Sequence, residues 1–211
     1  MSSSKISADA TNSNNSFNSV SSVSPVDSDN PLELVTQNRD EDSQLIKKSI
    51  EGNSEAFKEL FMKNVNRVHS LCLRISADIH LTEDLTQEVF IKAWEKLNTF
   101  KFECKFSTWL HSIAMNQFLM HLRSKKRENE KTVEFGKEND LQIVKQNSND
   151  HRIDLQNAIN NLPDQARAVL VLHDIEGYKH IEISKMMSIE TGTSKAHLHR
   201  ARKILRKELS K

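Results

Sequence analysis

Glycine, proline and cysteine are all scarce in this sequence: 4 Gly, 3 Pro and 2 Cys among 211 residues. Because β-sandwiches and β-barrels need turn residues at short intervals, the lack of Gly and Pro argues against an all-β fold and favours helices. Cys72 and Cys104 make neither a disulfide framework nor a CxxC metal pair. These absences predict a mostly helical protein of a reducing compartment.

Long apolar runs are also lacking. The longest uninterrupted run is the five residues 168–172, far shorter than a membrane span. The first residues show no basic start followed by an apolar stretch, so we expect no secretory signal. The sequence therefore predicts a soluble, cytoplasmic protein without membrane insertion.

The near-neutral balance of 30 Lys+Arg against 29 Asp+Glu conceals a segregation of charge. Residues 1–43 carry seven acidic and two basic side chains, whereas residues 191–211 carry seven basic side chains and one acidic one. A basic stripe confined to one helix is the electrostatic footprint of nucleic-acid binding. The alternative is a solvated helix end whose cations offset the negative pole of the helix dipole, and charge alone leaves both open.

Two polar segments divide the chain. Residues 1–40 are rich in Ser and Asn and have almost nothing to bury, which predicts a disordered tail. In residues 128–150 apolar residues do not recur at a regular spacing and nearly all side chains are polar, which predicts a flexible linker. Apolar residues recur every three to four positions elsewhere. The sequence thus predicts an all-α fold of two small helical domains, 41–127 and 151–211, joined by that linker.

Four helices are expected in the first half. Two are expected to start near Ser43 and at Thr82, and the other two to follow N-terminal caps at Ser54 and at Ser107 or Thr108. The helix from Thr82 has two contrasting faces. Its apolar face includes Leu85, Val89, Phe90 and Trp94, and its opposite face displays Asp84, Gln87, Glu88 and Glu95. An aromatic and basic loop, 100–106, follows it.

The C-terminal part has the spacing of a helix–turn–helix. A short helix over 180–187, three linking residues 188–190 and a longer basic helix from Thr191 are predicted. An inward face of the second helix is formed by Ser194, Leu198, Ala201 and Leu205. The outward face near the start of this helix is formed by Lys195, Ala196, His199 and Arg200. The N-terminal half is the part of such a helix that enters the major groove. Further along, phosphate contacts are expected from Arg202, Lys203, Arg206 and Lys207.

An ordinary helical hairpin with a basic face is the alternative to this DNA-binding interpretation. His197 and His199 do not suggest a metal, because residues two apart point to different sides of a helix. A Gly-rich phosphate loop and an HExxH motif are both lacking in the sequence. We therefore expect no metal, no cofactor and no catalytic activity.

The chain resembles bacterial RNA polymerase sigma factors of the extracytoplasmic-function (ECF) class over about residues 40–127 and 151–209. In the first domain the resemblance lies in DLTQEVF (84–90), FSTWL (106–110) and IAMN (113–116). In the second it lies in LP (162–163), EGYKH (176–180), GTSK (192–195) and LHRAR (198–202). Two ordered motif sets are far more specific than a single helix–turn–helix match.

The resemblance implies that the first domain is sigma region two and the second is region four. It implies core polymerase docking, on the clamp helices of the largest subunit, through Asp84, Gln87 and Glu88. It implies capture of the unwound −10 strand by Lys101, Phe102, Lys105, Asn116 and Arg123. It implies −35 recognition by Lys195, Ala196, His199, Arg200 and Lys203. Promoter DNA, the polymerase flap and an anti-sigma factor are the other implied partners.

The sequence departs from the family pattern at several sites. The family usually has glycine where Phe102 and Ser188 stand, so the −10 pocket is expected to differ in shape, and Ser188 to carry a cost if its φ is positive. Met115 and Met120 replace commonly charged residues, and Ser194 replaces a usual valine. These departures bear on the promoter sequence rather than on the role.

The hypothesis is a promoter-specificity subunit that makes no covalent bond itself. The alternative is a stand-alone helix–turn–helix regulator, which would bind half-sites as a dimer without polymerase. Such a regulator has no need for an acidic surface over 84–90 beside an aromatic and basic loop.

Overall fold

The structure is a computed structural model that describes residues 42–132 and 151–210. The expected N-terminal tail (1–40) lies outside the described residues, as does most of the expected linker. Every regular element of the described ranges is helical, which confirms the all-α prediction. We refer below to residues 42–132 as the first domain and 151–210 as the second domain.

The first domain contains four helices and one 3₁₀ turn. The helices are α1 (42–50), α2 (Ser54–Ser76), α3 (Ile79–Lys96) and α4 (Phe106–Thr132), and the 3₁₀ turn is Leu97–Thr99. Helices α2, α3 and α4 all pack against one another. The apolar faces of these helices pack together in a core that includes Leu60, Val68, Leu71, Val89, Leu110 and Phe118.

Capping side chains set the starts of α2 and α3. The Asn53 side chain, rather than that of Ser54, accepts a hydrogen bond from the Ala56 N–H at 3.1 Å. The Asp78 carboxylate accepts from two backbone N–H groups, so α3 starts at Ile79. The prediction that this helix starts at Thr82 was wrong, because Asp78 already provides the cap.

Helix α4 continues to Thr132, five residues into the expected linker. Apolar residues no longer recur here because the side chains of residues 128–130 are exposed, and not because the helix ends. Pairs one turn apart support it: Lys126 lies 3.7 Å from Glu130, and the Ser124 hydroxyl donates to Glu128 at 3.3 Å.

The second domain also contains four helices. They are α5 (His151–Asn160), α6 (Asp164–Leu170), α7 (His180–Met187) and α8 (Thr191–Leu209), and α6 runs on into a π-helical turn, Val171–Ile175. The bounds of α7, of the three-residue turn and of the start of α8 agree with the prediction. Ser188 ends α7 with φ +53°, the left-handed conformation at which glycine is usual.

The two domains lie against each other, which the sequence did not predict. Helix α2 contacts α6, and α4 contacts α7. Polar groups cross this junction as well: Arg74 lies 3.1 Å from Glu176, and the Tyr178 hydroxyl lies 2.9 Å from Nδ1 of His111. The chain therefore has one continuous core shared by both domains.

Candidate nucleic-acid and partner interfaces

Helix α8 has a buried face and an exposed basic face. The predicted inward residues lie inside: Ser194, Leu198 and Ala201 are buried, and Leu205 is half-buried. On the other side all five predicted −35 residues are exposed: Lys195, Ala196, His199, Arg200 and Lys203. Because they fall at successive turns of one helix, they form a continuous surface that a DNA groove can contact.

A polar network fixes α8 against the rest of the second domain. Arg202 donates to both carboxylate oxygens of Asp174, at 2.6 and 3.1 Å, and Nδ1 of His173 lies 2.7 Å from the same carboxylate. The His173 ring stacks on that of His180 at 4.5 Å. His180 in turn contacts the buried Ser194 hydroxyl at 2.9 Å. The network joins the π-helical turn, α7 and α8.

Arg202 thereby differs from the other cations predicted to contact phosphate. Burial alone would raise the pKa of Asp174, but hydrogen bonds from Arg202 and His173 outweigh burial and lower the pKa below its usual value. The carboxylate is therefore ionised at neutral pH and holds the guanidinium in a bidentate pair. This pair uses the Nε–H and one Nη2–H of the guanidinium, so Arg202 orients α8 and has only its remaining donors to offer a phosphate.

Helix α3 displays the predicted acidic surface. Asp84, Gln87 and Glu88 are all exposed, while the apolar side of the helix packs in the core. One turn further along, Ile91 is 53% exposed and Trp94 is 43% exposed. The prediction that Trp94 lies on the core face was wrong: its ring packs edge-on against Phe57 at 4.8 Å, at the margin of the core.

The exposed Ile91 and Trp94 extend the acidic face into an amphipathic strip. Ile91 was not named in the prediction for this helix, although it lies four residues beyond Gln87 and so on the polar side, and Trp94 was assigned to the core face. We define the docking strip as Asp84, Gln87, Glu88, Ile91 and Trp94. A partner that contacts this strip leaves the core intact, because the core lies on the opposite side of α3.

The loop between α3 and α4 holds one aromatic ring inside and one outside. Phe100 is buried, whereas Phe102 is 42% exposed and its ring packs on that of Phe100 at 4.9 Å. Phe102 has φ +59°, in the left-handed region that disfavours side chains. The chain therefore bears backbone strain to present an aromatic ring there.

A pocket of about 500 Å³ opens beside this loop. Phe100, Phe102 and Phe106 supply an aromatic wall, and Arg67 and Lys105 supply positive charge. Lys63 also lines the pocket, where its Nζ lies 3.7 Å from Oδ1 of Asp42. Phe102 and Lys105 were predicted to contact DNA, but Lys63 and Arg67 were not, because they lie on α2, about 40 residues earlier in the chain. Rings beside cations are the chemistry that holds unstacked bases and their phosphates.

Helix α4 presents a second part of the predicted −10 surface. Asn116, Met120 and Arg123 are exposed and fall at i, i+4 and i+7, on one face of the helix. Met115, in contrast, is fully buried in the core, so its side chain packs there and is not available for DNA contact. Lys101, in the loop, is exposed as well.

Cys72 is buried, and burial raises the pKa of its thiol to about 11 despite a hydrogen bond with Thr86. It therefore acts as a small apolar side chain rather than a nucleophile. Within the described ranges no cluster of three His, Cys, Asp or Glu side chains is arranged to hold a metal ion. None of the described helices is long and apolar enough to cross a membrane.

Two family matches cover both domains. Residues 60–128 match the family Sigma-70 region 2, and residues 152–205 match the family Sigma-70, region 4. These ranges contain the docking strip, the aromatic loop and the helix–turn–helix.

Curated relatives and solved structures are similar along most of the chain. The ECF RNA polymerase sigma factor SigW of Bacillus subtilis is 33% identical over 176 residues, which are 78% of this chain and 94% of SigW. SigE of Mycolicibacterium smegmatis is 35% identical over 74% of this chain and 62% of its own length.

Among solved structures, the sigma factor RpoE of Bartonella quintana, in complex with the anti-sigma factor NepR, matches with a TM-score of 0.58. That match has 24% identity and covers 73% of this chain and 96% of RpoE. CnrH, in complex with the cytosolic domain of CnrY, matches with a TM-score of 0.54 at 20% identity, over 81% of this chain and 97% of CnrH. The fold, the two family matches and the similarity to SigW together show that this chain belongs to the ECF class of RNA polymerase sigma factors.

Proposed function

We propose that this chain binds core RNA polymerase and directs it to promoters by contacting both the −35 duplex and the unwound −10 strand. As a specificity subunit it supplies binding energy, and the polymerase supplies the chemistry. The observation that carries the proposal is the exposed basic face of α8, held by the polar network around Asp174, in the same chain as an exposed docking strip and a basic aromatic pocket.

For the −35 element, α8 would enter the major groove with its N-terminal half. Arg200 is suited to bidentate hydrogen bonding with a guanine edge, and Lys195 and His199 lie on the same exposed face. Lys203 and Arg206 lie further along and would contact phosphates, which position the helix without specifying sequence.

For the −10 element, the pocket beside the loop would receive an unstacked base. Phe102 offers an exposed ring for stacking, and Lys105 and Arg67 offer positive charge for the backbone. Stacking on an aromatic side chain is worth about 1–3 kcal/mol per base, which offsets part of the energy needed to unwind the duplex. Asn116 and Arg123 would contact the same strand along α4.

The docking strip on α3 would bind the clamp helices of the largest polymerase subunit. The acidic side chains of the strip provide negative charge for electrostatic complementarity with the partner. Ile91 and Trp94 add apolar area of the kind that dominates interface energies. The second domain would bind the polymerase flap. An anti-sigma factor is a further proposed partner, because the similar RpoE is bound to one.

The Arg200→Ala variant tests whether promoter contact and polymerase contact are separate. We expect the loss of one bidentate base contact to weaken −35 discrimination by about 1–3 kcal/mol and to leave core polymerase affinity unchanged. Fluorescence anisotropy with labelled −35 duplexes and with core polymerase measures both. Lys211→Ala, at the end of the basic segment, is the matched charge control. Equal loss of both affinities would contradict the proposal.

The stand-alone regulator makes a different prediction in the same experiment. It would bind palindromic half-sites as a dimer and would not bind core polymerase at all.

A further inference from the structure

The first residues that the structure describes, Asp42 and Ser43, line the basic aromatic pocket. Oδ1 of Asp42 lies 3.7 Å from Nζ of Lys63, so one carboxylate at the start of α1 already contacts a cation of the pocket. Consecutive Cα atoms lie about 3.8 Å apart. The segment that precedes Asp42 in the sequence therefore joins the first domain beside this pocket.

The net charge of the residues before α1 is concentrated next to that junction. Residues 1–26 contain one lysine and one aspartate and have no net charge, whereas residues 27–41 contain five acidic side chains and one arginine. We define the acidic segment as residues 27–41. Its carboxylates belong to Asp27, Asp29, Glu33, Asp40 and Glu41.

The pocket offers charge of the opposite sign. Arg67 and Lys105 line it, together with Lys63 and Asp42, and the adjoining loop adds the exposed Lys101. Cations therefore outnumber carboxylates there. Carboxylates and phosphates are both anionic acceptors for lysine and arginine, so an acidic peptide satisfies the same donors as a nucleic-acid backbone.

The middle of the acidic segment matches the aromatic wall of the pocket. Leu32, Leu34 and Val35 lie between its acidic ends. Glu33 lies nine residues before α1, a reach of about 30 Å in an extended chain. That reach exceeds the dimensions of a cavity of about 500 Å³. Apolar side chains of the segment can thus cover the exposed Phe102 ring while neighbouring carboxylates contact the cations.

We propose that the acidic segment binds the basic aromatic pocket of its own chain and competes there with the unwound −10 strand, a role of the pocket that rests on the proposed function. Carboxylates take the place of phosphates, and apolar side chains take the place of unstacked bases. Because the segment is joined directly to α1, the contact is intramolecular, with an effective concentration on the order of millimolar. Contacts too weak to hold a separate peptide are therefore sufficient, and a strand held by several phosphates can displace them.

The test compares two full-length variants that each exchange three carboxylates for amides. The segment variant carries Glu33→Gln, Asp40→Asn and Glu41→Gln. The control variant carries Glu51→Gln, Glu55→Gln and Glu83→Gln, at three exposed positions outside the pocket. The two variants have the same net charge, so a difference between them depends on where the carboxylates are removed.

The Cys104 thiol measures occupancy of the pocket without DNA. Cys104 is exposed and lines the pocket, whereas Cys72 is buried. We expect iodoacetamide, a neutral reagent, to alkylate Cys104 about fivefold faster in the segment variant than in the parent or the control, which corresponds to a pocket open in about one parent molecule in five. Sodium chloride at about 1 M, where the screening length is about 3 Å, should bring the parent close to the rate of the segment variant.

A single-stranded probe measures the competition. Fluorescence anisotropy with a labelled strand of about ten thymidines should show about fivefold tighter binding to the segment variant than to the control variant. Affinity for duplex DNA should be equal in the two variants, because α8 is not part of the pocket.

Equal alkylation rates in the segment and control variants would overturn the proposal, as would faster alkylation with equally tight binding of the strand. Protection of Cys104 that increases with protein concentration would place the segment of a second copy in the pocket and overturn the intramolecular contact. Tighter duplex binding at an unchanged alkylation rate would place the segment on α8 instead.

Failure of the proposed function looks different. In that case neither the parent nor the variants bind the strand or core polymerase, whereas the alkylation rates still report whether the acidic segment covers the pocket.

Discussion

The hydroxyl of Ser194, at the N-terminal end of the buried face of α8, lies 2.9 Å from Nδ1 of His180 at the start of α7. Ser194 is fully buried, so this bond satisfies a polar group that water does not reach. A valine at this position would make no such bond. Here the helix–turn–helix angle is set by a polar contact, which the stack of His180 on His173 supports.

Removal of the His180 side chain tests this contact. We expect His180→Ala to lower the free energy of unfolding by about 1–2 kcal/mol, because the Ser194 hydroxyl is left buried without its partner. Adding Ser194→Ala should recover most of the loss, since removing both partners of a buried bond is nearly neutral. Urea denaturation of the four chains measures the coupling, and strictly additive losses would show that the bond does not set the packing.

The left-handed conformation of Ser188 predicts a stabilising substitution. Ser188→Gly removes the steric cost of φ +53° and should raise the free energy of unfolding by about 0.5–1 kcal/mol. Lys185→Gly, in the regular part of the same helix, should instead cost about 1 kcal/mol. Thermal unfolding of both variants gives the comparison. A loss of stability in Ser188→Gly would mean that the turn does not require this conformation.

The docking strip predicts a loss of polymerase binding without a loss of folding. Glu88 is exposed and contacts Gln117 at 3.5 Å, so Glu88→Lys should change the free energy of unfolding by less than about 0.5 kcal/mol. The reversed charge should weaken core polymerase binding about tenfold or more. Glu51→Lys, an equal charge change at an exposed turn, should leave binding unchanged. If Glu88→Lys unfolds the chain, the acidic face is structural.

His111 predicts that stability falls in mild acid. Burial, with a smaller effect from Arg67 of α2, lowers the pKa of His111 to about 4, and Tyr178 contacts its Nδ1. The unfolded chain takes up this proton near pH 6.5 and the folded chain near pH 4. Above pH 6.5 the ring is neutral in both states, and the free energy of unfolding does not depend on this proton. Between pH 6.5 and pH 4 the unfolded chain binds more protons, so the free energy of unfolding falls by up to about 1.4 kcal/mol per pH unit.

The measurement is the free energy of unfolding of the parent chain and of His111→Gln at pH 7 and pH 5.5. The variant has no proton to take up at this position, so its stability should decline less over the interval. Parallel pH profiles would contradict the assignment of the acid sensitivity to His111.

Local signals in the sequence were sufficient to predict the helix–turn–helix. The bounds of α7, its turn and α8 follow from neighbouring residues, because apolar spacing and a short turn act over few positions. The inward positions Ser194, Leu198 and Ala201 follow from the same spacing. The exposed faces of α3 and α8 were predictable for the same reason, since burying one side of a helix exposes the other.

The contacts of Arg167 between the two domains were not predictable, because the partners are far apart in the chain. Arg167 donates to Ile75, 92 residues away, and nothing in the local pattern links them. The one available signal is that Arg167 interrupts the apolar residues of α6, where a charged side chain requires buried partners. The prediction for Trp94 was wrong for a related reason. Periodicity places Trp94 on the core side of α3, but its contact with Phe57 lies at the margin of the core.

Run-off transcription from a promoter library, with bacterial core polymerase and purified full-length chain, tests the central claim most directly. We predict initiation at a discrete set of promoters only when this chain is present, with shared sequence at both the −10 and the −35 positions. Unchanged initiation, with core polymerase neither bound nor redirected, would contradict a role for this chain in promoter selection.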